Sequence, residues 1–243
     1  MPDCRKDFSK MKITRILKYI LYFIIVFNVV SAAIVLVFKW VNPPTTAFIL
    51  FKSNEEPSDI LTGGNVKQNW VPIDKISVYL PLAAVASEDQ RFFEHYGFDF
   101  DQIEKALKEQ KRKKRLRGAS TISQQTAKNM FLWPGKNLIR KGMEAYYTLL
   151  IELIWGKTRI MEVYLNTAEM GENIYGAGAA AKYYFNRSAE KLTPQEAAML
   201  IAIFPNPVKF SIKRPSPYLL HRSGDIMEQM NLIGGKDFIK KNL

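Results

Sequence analysis

The sequence predicts a mainly α-helical protein, with one membrane-spanning helix near the amino terminus and one domain after it. Residues 19–38 form a run of twenty positions without a charged side chain. From Trp70 onward, residues that begin and end helices follow one another, and no run alternates between apolar and polar residues as strands do. The 243 residues suffice for one domain and an appendage, and a composition of 47% apolar and 24% charged residues argues against a wholly disordered chain.

The apolar run at residues 19–38 is long enough to cross a membrane. At about 1.5 Å of rise per residue, a helix of this length spans roughly the 30 Å of hydrocarbon in a bilayer. Residues 1–18 carry six lysines and arginines against two aspartates, and positive charge places this end in the cytoplasm. A cleaved signal peptide is the alternative, although its apolar core would be only about 7–15 residues long.

The chain therefore divides into four predicted segments. They are a cytoplasmic basic tail at 1–18, a transmembrane anchor at 19–38, a linker at 39–69 and an extracytoplasmic domain at 70–243. The linker is predicted because Pro43-Pro44 ends any helix and because the stretch from Lys52 to Gly64 is polar and contains proline and glycine.

Helix end signals predict six helices in the domain. Pro81 suits the first turn of a helix that runs to about Tyr96 and stops at Gly97. Asp101 is predicted to cap a helix that continues through the Lys/Arg run. Ser120 or Thr121 can cap a third, since Thr121 and Gln124 fit a capping box. The other three are predicted from Asn137 to Ile154, from Thr193-Pro194 to before Pro205, and from Tyr218 to Leu232.

The charge balance points to an anionic partner. Lysine and arginine exceed aspartate and glutamate by 35 to 23, which gives a net charge of +12. One cysteine excludes an intramolecular disulfide, and two histidines make a histidine-based metal centre improbable. The run from Lys111 to Arg117 resembles a nucleic-acid or lipid-headgroup patch, but it has no interleaved aromatic residues for stacking bases. With a membrane helix upstream we favour anionic lipid, with a solvated loop as the alternative.

Three constellations could carry chemistry. Glu88 follows an apolar stretch, where burial can tune a carboxylate for acid or base catalysis; a solvated helix face paired with Arg91 is the alternative. Residues 118–129 hold many hydroxyls and amides at a helix start, where free N–H groups favour an anion, although a well-capped surface helix would look the same. Arg140 and Glu144 are four apart and default to a local salt bridge; alternatively they share a cleft with Glu88.

In this order and spacing the motifs resemble the peptidoglycan glycosyltransferases of glycosyltransferase family 51. The resemblance covers about residues 70–235 and includes five motifs: EDQRFFEHYGFD, GASTISQQTAKN, RKGME, KTRIMEVYLNTAEMGENIYGAGAAAKYYF and LTPQEAAMLIAIFPNP. It implies a lysozyme-like fold with a small membrane-proximal jaw region. Because little chain follows the fifth motif, we expect the short monofunctional form without a transpeptidase domain.

The resemblance also implies residue roles. Glu88 would be the general base that activates the acceptor sugar hydroxyl of lipid II, and Glu144 the second essential carboxylate, which orders the cations around the diphosphate. The residues implied in binding substrate and pyrophosphate are Ser120, Gln124, Gln125, Lys128, Asn129, Lys136, Arg140 and Lys141. Lys136 stands where the family more often has arginine; lysine supplies charge there without a bidentate fork.

The partners implied are lipid II, the growing lipid-linked glycan and membrane phospholipid, with cell-division or elongation proteins left open and nucleic acid not expected. No cofactor is required by the sequence; a divalent cation such as Mg²⁺ or Mn²⁺ at the pyrophosphate is left open, since no dedicated cage is visible. The expected location is the cytoplasmic membrane of a bacterium. A lysozyme-like lytic enzyme is the main alternative, and a membrane-anchored binding protein ranks last.

Overall fold

The structure, a computed structural model, describes residues 4–52, 65–113, 120–135 and 137–243. It divides into two compact units, Met1–Val41 and Asn42–Leu243. The first is helix α1, Cys4–Trp40, whose residues from Thr14 onward are long and apolar enough to cross a membrane. Most of its apolar side chains are exposed, as expected of a helix whose surroundings are lipid rather than a protein core.

The second unit is mainly helical, as the sequence predicts. Its α-helices are α2 Ala47–Lys52, α3 Tyr79–Glu88, α4 Phe100–Lys113, α5 Ile122–Phe131, α6 Leu138–Ile154, α7 Lys157–Thr167, α8 Gly176–Phe185, α9 Pro194–Ala202, α10 Pro217–Leu232 and α11 Gly235–Asn242. Two short 3₁₀ helices lie at Ile73–Lys75 and Ala189–Lys191.

Helix α3 is the centre of this unit. Its residues from Leu80 to Ala86 are all buried, and α3 packs against α9, α10 and α11. On the other side, α5 packs against both α6 and α7. A helix with no polar face requires this enclosure, and burial ends at the carboxyl-terminal pair of α3, Ser87 and Glu88, which are both partly exposed.

Three short strands form a small sheet that the sequence did not predict. The strands are β1 Lys67–Gln68, β2 Glu169–Gly171 and β3 Ile174–Tyr175, in the order β1-β3-β2, with β1 parallel and β2 antiparallel to β3. They are too short to show alternation in the sequence.

Two helix ends differ from the prediction. Helix α3 ends at Glu88 rather than at Tyr96, because Asp89 turns out of the helix (φ −163°, ψ 77°) and its carboxylate accepts a hydrogen bond from the Ile122 amide, 3.0 Å away. Helix α4 is capped by Asp99 rather than by Asp101, since the Asp99 carboxylate accepts from the Gln102 amide at 2.9 Å.

The predicted linker at 39–69 also contains folded structure. Helix α2 lies within it, and Ile49 is fully buried in a cluster with Val66 and Tyr175. Burial of the apolar side chains of α2 stabilises a helix here, although the residues that follow it are polar. At the other end of the domain, the helix predicted to end at Leu232 is followed by one more helix, α11.

Part of the basic run from Lys111 to Arg117 lies outside the described residues, as does Gly118. The expectation of a lipid-headgroup patch there stays a prediction.

Candidate active site

Glu88, the predicted base, lies at the wall of a cavity of about 500 Å³. The cavity is enclosed by the end of α3, the start of α5, the turn after α9 and a side chain of α10. Its lining includes Ser87, Glu88, Asp89, Ser120, Thr121, Gln125, Phe204, Pro205 and Arg222. The Glu88 side chain is 18% exposed, so the carboxylate is mostly enclosed yet reachable from the cavity.

Three donors fix the Glu88 carboxylate. The Ser87 hydroxyl donates to Oε1 at 3.1 Å, and the Gln125 amide nitrogen donates to Oε2 at 3.1 Å. The Arg222 guanidinium lies 3.5 Å from Oε1 and also donates to Ser87 Oγ and to the Ala202 carbonyl, both at 3.2 Å. The carboxylate therefore has one preferred orientation, set by α3, α5 and α10 together.

The Gln125 amide is oriented from behind by Tyr164. The Tyr164 hydroxyl donates to Gln125 Oε1 at 3.3 Å, so the amide nitrogen must face Glu88. Burial raises the pKa of the Tyr164 hydroxyl well above its usual value, and the nearby Glu88 and Asp89 carboxylates raise it further. Tyr164 consequently keeps its proton and remains a donor.

Asp89, beside Glu88, has a structural role. Its carboxylate accepts from the Ile122 amide at 3.0 Å and lies 2.9 Å from His95 Nε2. His95 Nδ1 accepts from the Gly97 amide at 3.1 Å, which leaves the ring proton on Nε2, facing Asp89. The first motif is thereby fastened to the start of α5, which carries the second.

The capping box predicted at the start of α5 is confirmed. The Gln124 amide accepts from the Thr121 backbone N–H at 3.0 Å, while the Thr121 hydroxyl accepts from the Gln124 backbone N–H at 3.2 Å. Gln124 is thus a capping residue and does not line the Glu88 cavity. Asn129 is buried further along α5 and does not line the cavity either.

A second cluster lies on α6, which Asn137 caps as predicted. Glu144 is 3% exposed; one carboxylate oxygen accepts from Arg140 at 2.7 Å and the other from Lys141. Arg140 is 8% exposed, and its buried Nε has no hydrogen-bond partner among the described residues. The local salt bridge expected of this spacing is therefore present, and the Nε–H of Arg140 is a buried donor that the salt bridge does not use.

Lys128 of α5 is half-buried beside this cluster. Burial lowers the pKa of its ammonium group below the usual lysine value; Glu144 and Glu169 oppose this effect, whereas the charges of Arg140 and Lys52 add to it.

Ser120 joins the two regions. It lines the Glu88 cavity, and its hydroxyl lies 3.4 Å from the Lys141 ammonium. Of the predicted site residues, Glu88, Ser120 and Gln125 line the cavity, while Arg140, Lys141 and Glu144 form the adjacent cluster. Lys136 lies outside the described residues, so its phosphate role stays a prediction.

Sequence reasoning missed Arg222. It donates to Ser87 across 135 residues of chain, so no local spacing could indicate it.

Metal-ligating side chains come together at one place in the described ranges. Atoms of Asp89, His95 and Asp99 lie within 4.8 Å of one another. Asp89 and His95 contact each other directly, and Asp99 accepts from the Gln102 amide and pairs with Arg91, so protein groups already partner all three side chains.

The sequence is similar to that of known proteins over most of its length. The sequence model of the transglycosylase family matches residues 55–231. A biosynthetic peptidoglycan transglycosylase of Bacteroides thetaiotaomicron is 49% identical over 226 residues, which cover 92% of this chain and 90% of that protein. Proteins of the same name from Pseudomonas entomophila and Pseudomonas syringae pv. syringae are 47% and 44% identical, over 86% and 93% of this chain and 88% and 94% of their own lengths.

Proposed function

Because the chain belongs to the transglycosylase family and is a peptidoglycan glycosyltransferase of cell-wall synthesis, we propose that it polymerises lipid II. The product would be a β-1,4-linked glycan, formed by inverting transfer with release of undecaprenyl pyrophosphate. The observation that carries the proposal is the position of Glu88 at a cavity whose rim, at Ser120, touches the Lys141 ammonium.

Glu88 acts as the general base. It takes the proton from the 4-hydroxyl of the acceptor N-acetylglucosamine, and that oxygen attacks the anomeric carbon of the donor N-acetylmuramic acid. The bond between that carbon and the diphosphate oxygen breaks, and its electron pair leaves with the diphosphate. Ser87, Gln125 and Arg222 hold the carboxylate in position for the proton transfer.

The cations neutralise the leaving group. A diphosphate leaves as a stable anion, so it needs positive charge rather than protonation. Arg140, Lys141 and Lys128 supply that charge, with Lys136 as a further predicted contributor. Glu144 holds Arg140 and Lys141 in place, since each of its oxygens accepts from one of them.

The same contacts disfavour a lysozyme-like lytic role. Cleavage of a glycosidic bond typically uses two carboxyl groups, one that protonates the leaving oxygen and one that acts as base or nucleophile. Glu144, the second carboxylate expected to be essential, has both oxygens committed to cations, so it is poorly placed to take either part beside Glu88.

Membrane anchoring supports access to the substrate. Helix α1 is apolar over a length that can span a bilayer. We propose that the basic tail lies in the cytoplasm and the catalytic unit outside it, at the membrane that holds the polyprenyl tail of lipid II.

A divalent cation would have to enter with the diphosphate. The carboxylates nearest Lys128 in the described part of the chain are Glu144 and Glu169, and each is paired with a lysine or arginine. These residues do not form a metal cage. Mg²⁺ or Mn²⁺ would therefore be held mainly by phosphate oxygens.

The test is polymerisation of lipid II by the purified, detergent-solubilised chain. Glu88→Gln should lower the rate by about 10²–10⁴-fold, the range typical of a general base, while leaving the unfolding temperature nearly unchanged. Glu94→Gln is the matched control, because Glu94 lies in the same motif with a side chain that is 64% exposed. Full activity of Glu88→Gln, or cleavage of finished peptidoglycan without lipid II, would contradict the proposal.

A further inference from the structure

We propose that helix α2 is part of the diphosphate-binding site. The aromatic face of Phe48 holds the Lys128 ammonium. Lys52 of the same helix pairs with Glu169, one of the two carboxylates that attract Lys128. The inference rests on the proposed function, in which Lys128 binds the diphosphate.

The geometry places two ammonium groups near one aromatic ring. The Lys128 Nζ lies 5.2 Å from the centroid of the Phe48 ring, and the Lys52 Nζ lies 5.6 Å from it. Both distances are within the range in which a cation is attracted to a ring face. Phe48 thus contacts a residue of α5 that is 80 positions further along the chain.

Helix α2 is fixed in this position by its own packing. Ile49 is fully buried against Val66 and Tyr175, and its backbone N–H donates to the Thr46 hydroxyl at 3.3 Å. Since Ile49 is held on the core side, its neighbour Phe48 is held against α5, with which α2 packs.

The charges around Lys128 explain why an aromatic partner matters. Glu144 and Glu169 attract the ammonium, and Arg140 and Lys52 repel it. Glu144 is already paired with Arg140 and Lys141, and Glu169 with Lys52. Lys128 has no ion-pair partner of its own among the described residues.

A ring face suits an ammonium group that must bind an anion. A carboxylate partner would neutralise the charge and compete with the diphosphate for it. The ring stabilises the cation without neutralising it, so that the full positive charge and its N–H donors stay available.

The first test is the affinity for inorganic pyrophosphate, measured by calorimetry on the full, detergent-solubilised chain. Phe48→Leu keeps an apolar side chain but removes the ring, and should raise the Kd about three- to thirty-fold. Phe48→Tyr keeps the ring and should bind as the wild type does. Phe51→Leu is the matched control, because Phe51 lies on the same helix and is 62% exposed.

The second test is the pH dependence of kcat/KM for lipid II. Without the ring, Lys128 loses its proton at lower pH, so Phe48→Leu should move the alkaline limb toward neutral pH. Lys52→Met should move the alkaline limb to higher pH. It removes a positive charge that repels the Lys128 ammonium, and it leaves the Glu169 carboxylate without its lysine partner. A mere loosening of α2 would lower the rate and leave the limb where it is.

The outcomes separate the two proposals. If the wild type does not polymerise lipid II, the proposed function fails, whereas the pyrophosphate affinities still test Phe48. If the wild type polymerises lipid II but Phe48→Leu matches Phe51→Leu in affinity and pH profile, the role of Phe48 is refuted. If Phe48→Leu does not fold, Phe48→Met, which also keeps an apolar side chain without a ring, takes its place in both tests.

Discussion

The surroundings of Glu88, the proposed base, and the cation cluster on α6 are assembled in opposite ways. The cluster on α6 is local, since Arg140, Lys141 and Glu144 meet within one turn of one helix. The surroundings of Glu88 come from far apart, with Gln125 contributed by α5 and Arg222 by α10. The difference indicates that the Arg140, Lys141 and Glu144 part of the proposed leaving-group site is built into a single helix, whereas the orientation of Glu88 depends on how three helices pack.

The largest effect should come from the local cluster. Glu144→Gln leaves the buried Arg140 guanidinium and the exposed Lys141 ammonium without their counter-charge. It should lower the free energy of unfolding by about 3 kcal/mol, near the low end of the range for a broken buried pair because the amide oxygen still accepts. Denaturant unfolding measures this change.

The control for Glu144→Gln is Glu104→Gln, which breaks an exposed pair with Lys108 at the same i,i+4 spacing. That pair should contribute less than about 1 kcal/mol. If the two variants lost the same free energy of unfolding, burial of the cluster would make no contribution to stability.

Arg222→Gln should lower kcat by about tenfold with little change in KM, because the guanidinium orients Glu88 rather than binding substrate. The effect is smaller than that of a fully buried charge, since Arg222 is 28% exposed and 3.5 Å from the carboxylate. Lipid II turnover measures it. His221→Gln, on the same helix with a 79% exposed side chain, is the control, and a matching loss there would argue for damage to α10 instead.

Tyr164→Phe should lower kcat about fivefold, which corresponds to one neutral hydrogen bond. Without the hydroxyl, the Gln125 amide is free to turn its oxygen toward Glu88. Tyr175→Phe provides the comparison, because the Tyr175 hydroxyl is buried with no partner in the described residues. If both variants keep wild-type kcat, the orientation of Gln125 does not depend on Tyr164.

The smallest effect concerns pH. Because burial lowers the pKa of Lys128, its charge should be lost at lower pH than that of an exposed lysine, and kcat/KM should decline there. Lys128→Arg should move this alkaline limb to higher pH, since a guanidinium stays protonated. An unmoved limb would assign the decline to another group.

The local features of the fold could be predicted from the sequence. The capping box of Thr121 and Gln124, the cap at Asn137 and the salt bridge between Arg140 and Glu144 all depend on residues three or four apart. Such signals are visible because the interacting groups meet whenever the helix forms.

What could not be predicted depends on tertiary contacts. The early end of α3 follows from a hydrogen bond between Asp89 and Ile122, and the packing of α2 onto the domain follows from burial of Ile49. Arg222 contacts Glu88, although the two residues are far apart in the sequence. In each case the deciding partner lies too far along the chain for any periodicity to reveal it.

The leftover Nε of Arg140 bears on which anions the protein prefers. A buried donor without an acceptor costs about 1–3 kcal/mol, and a ligand recovers that energy only if it brings an acceptor to this nitrogen. Sulfate and pyrophosphate present several oxygens, which can accept from Nε and from a second guanidinium N–H together, whereas a chloride ion is a single acceptor. Pyrophosphate should therefore raise the melting temperature of the empty protein well beyond what an equal ionic strength of sodium chloride achieves.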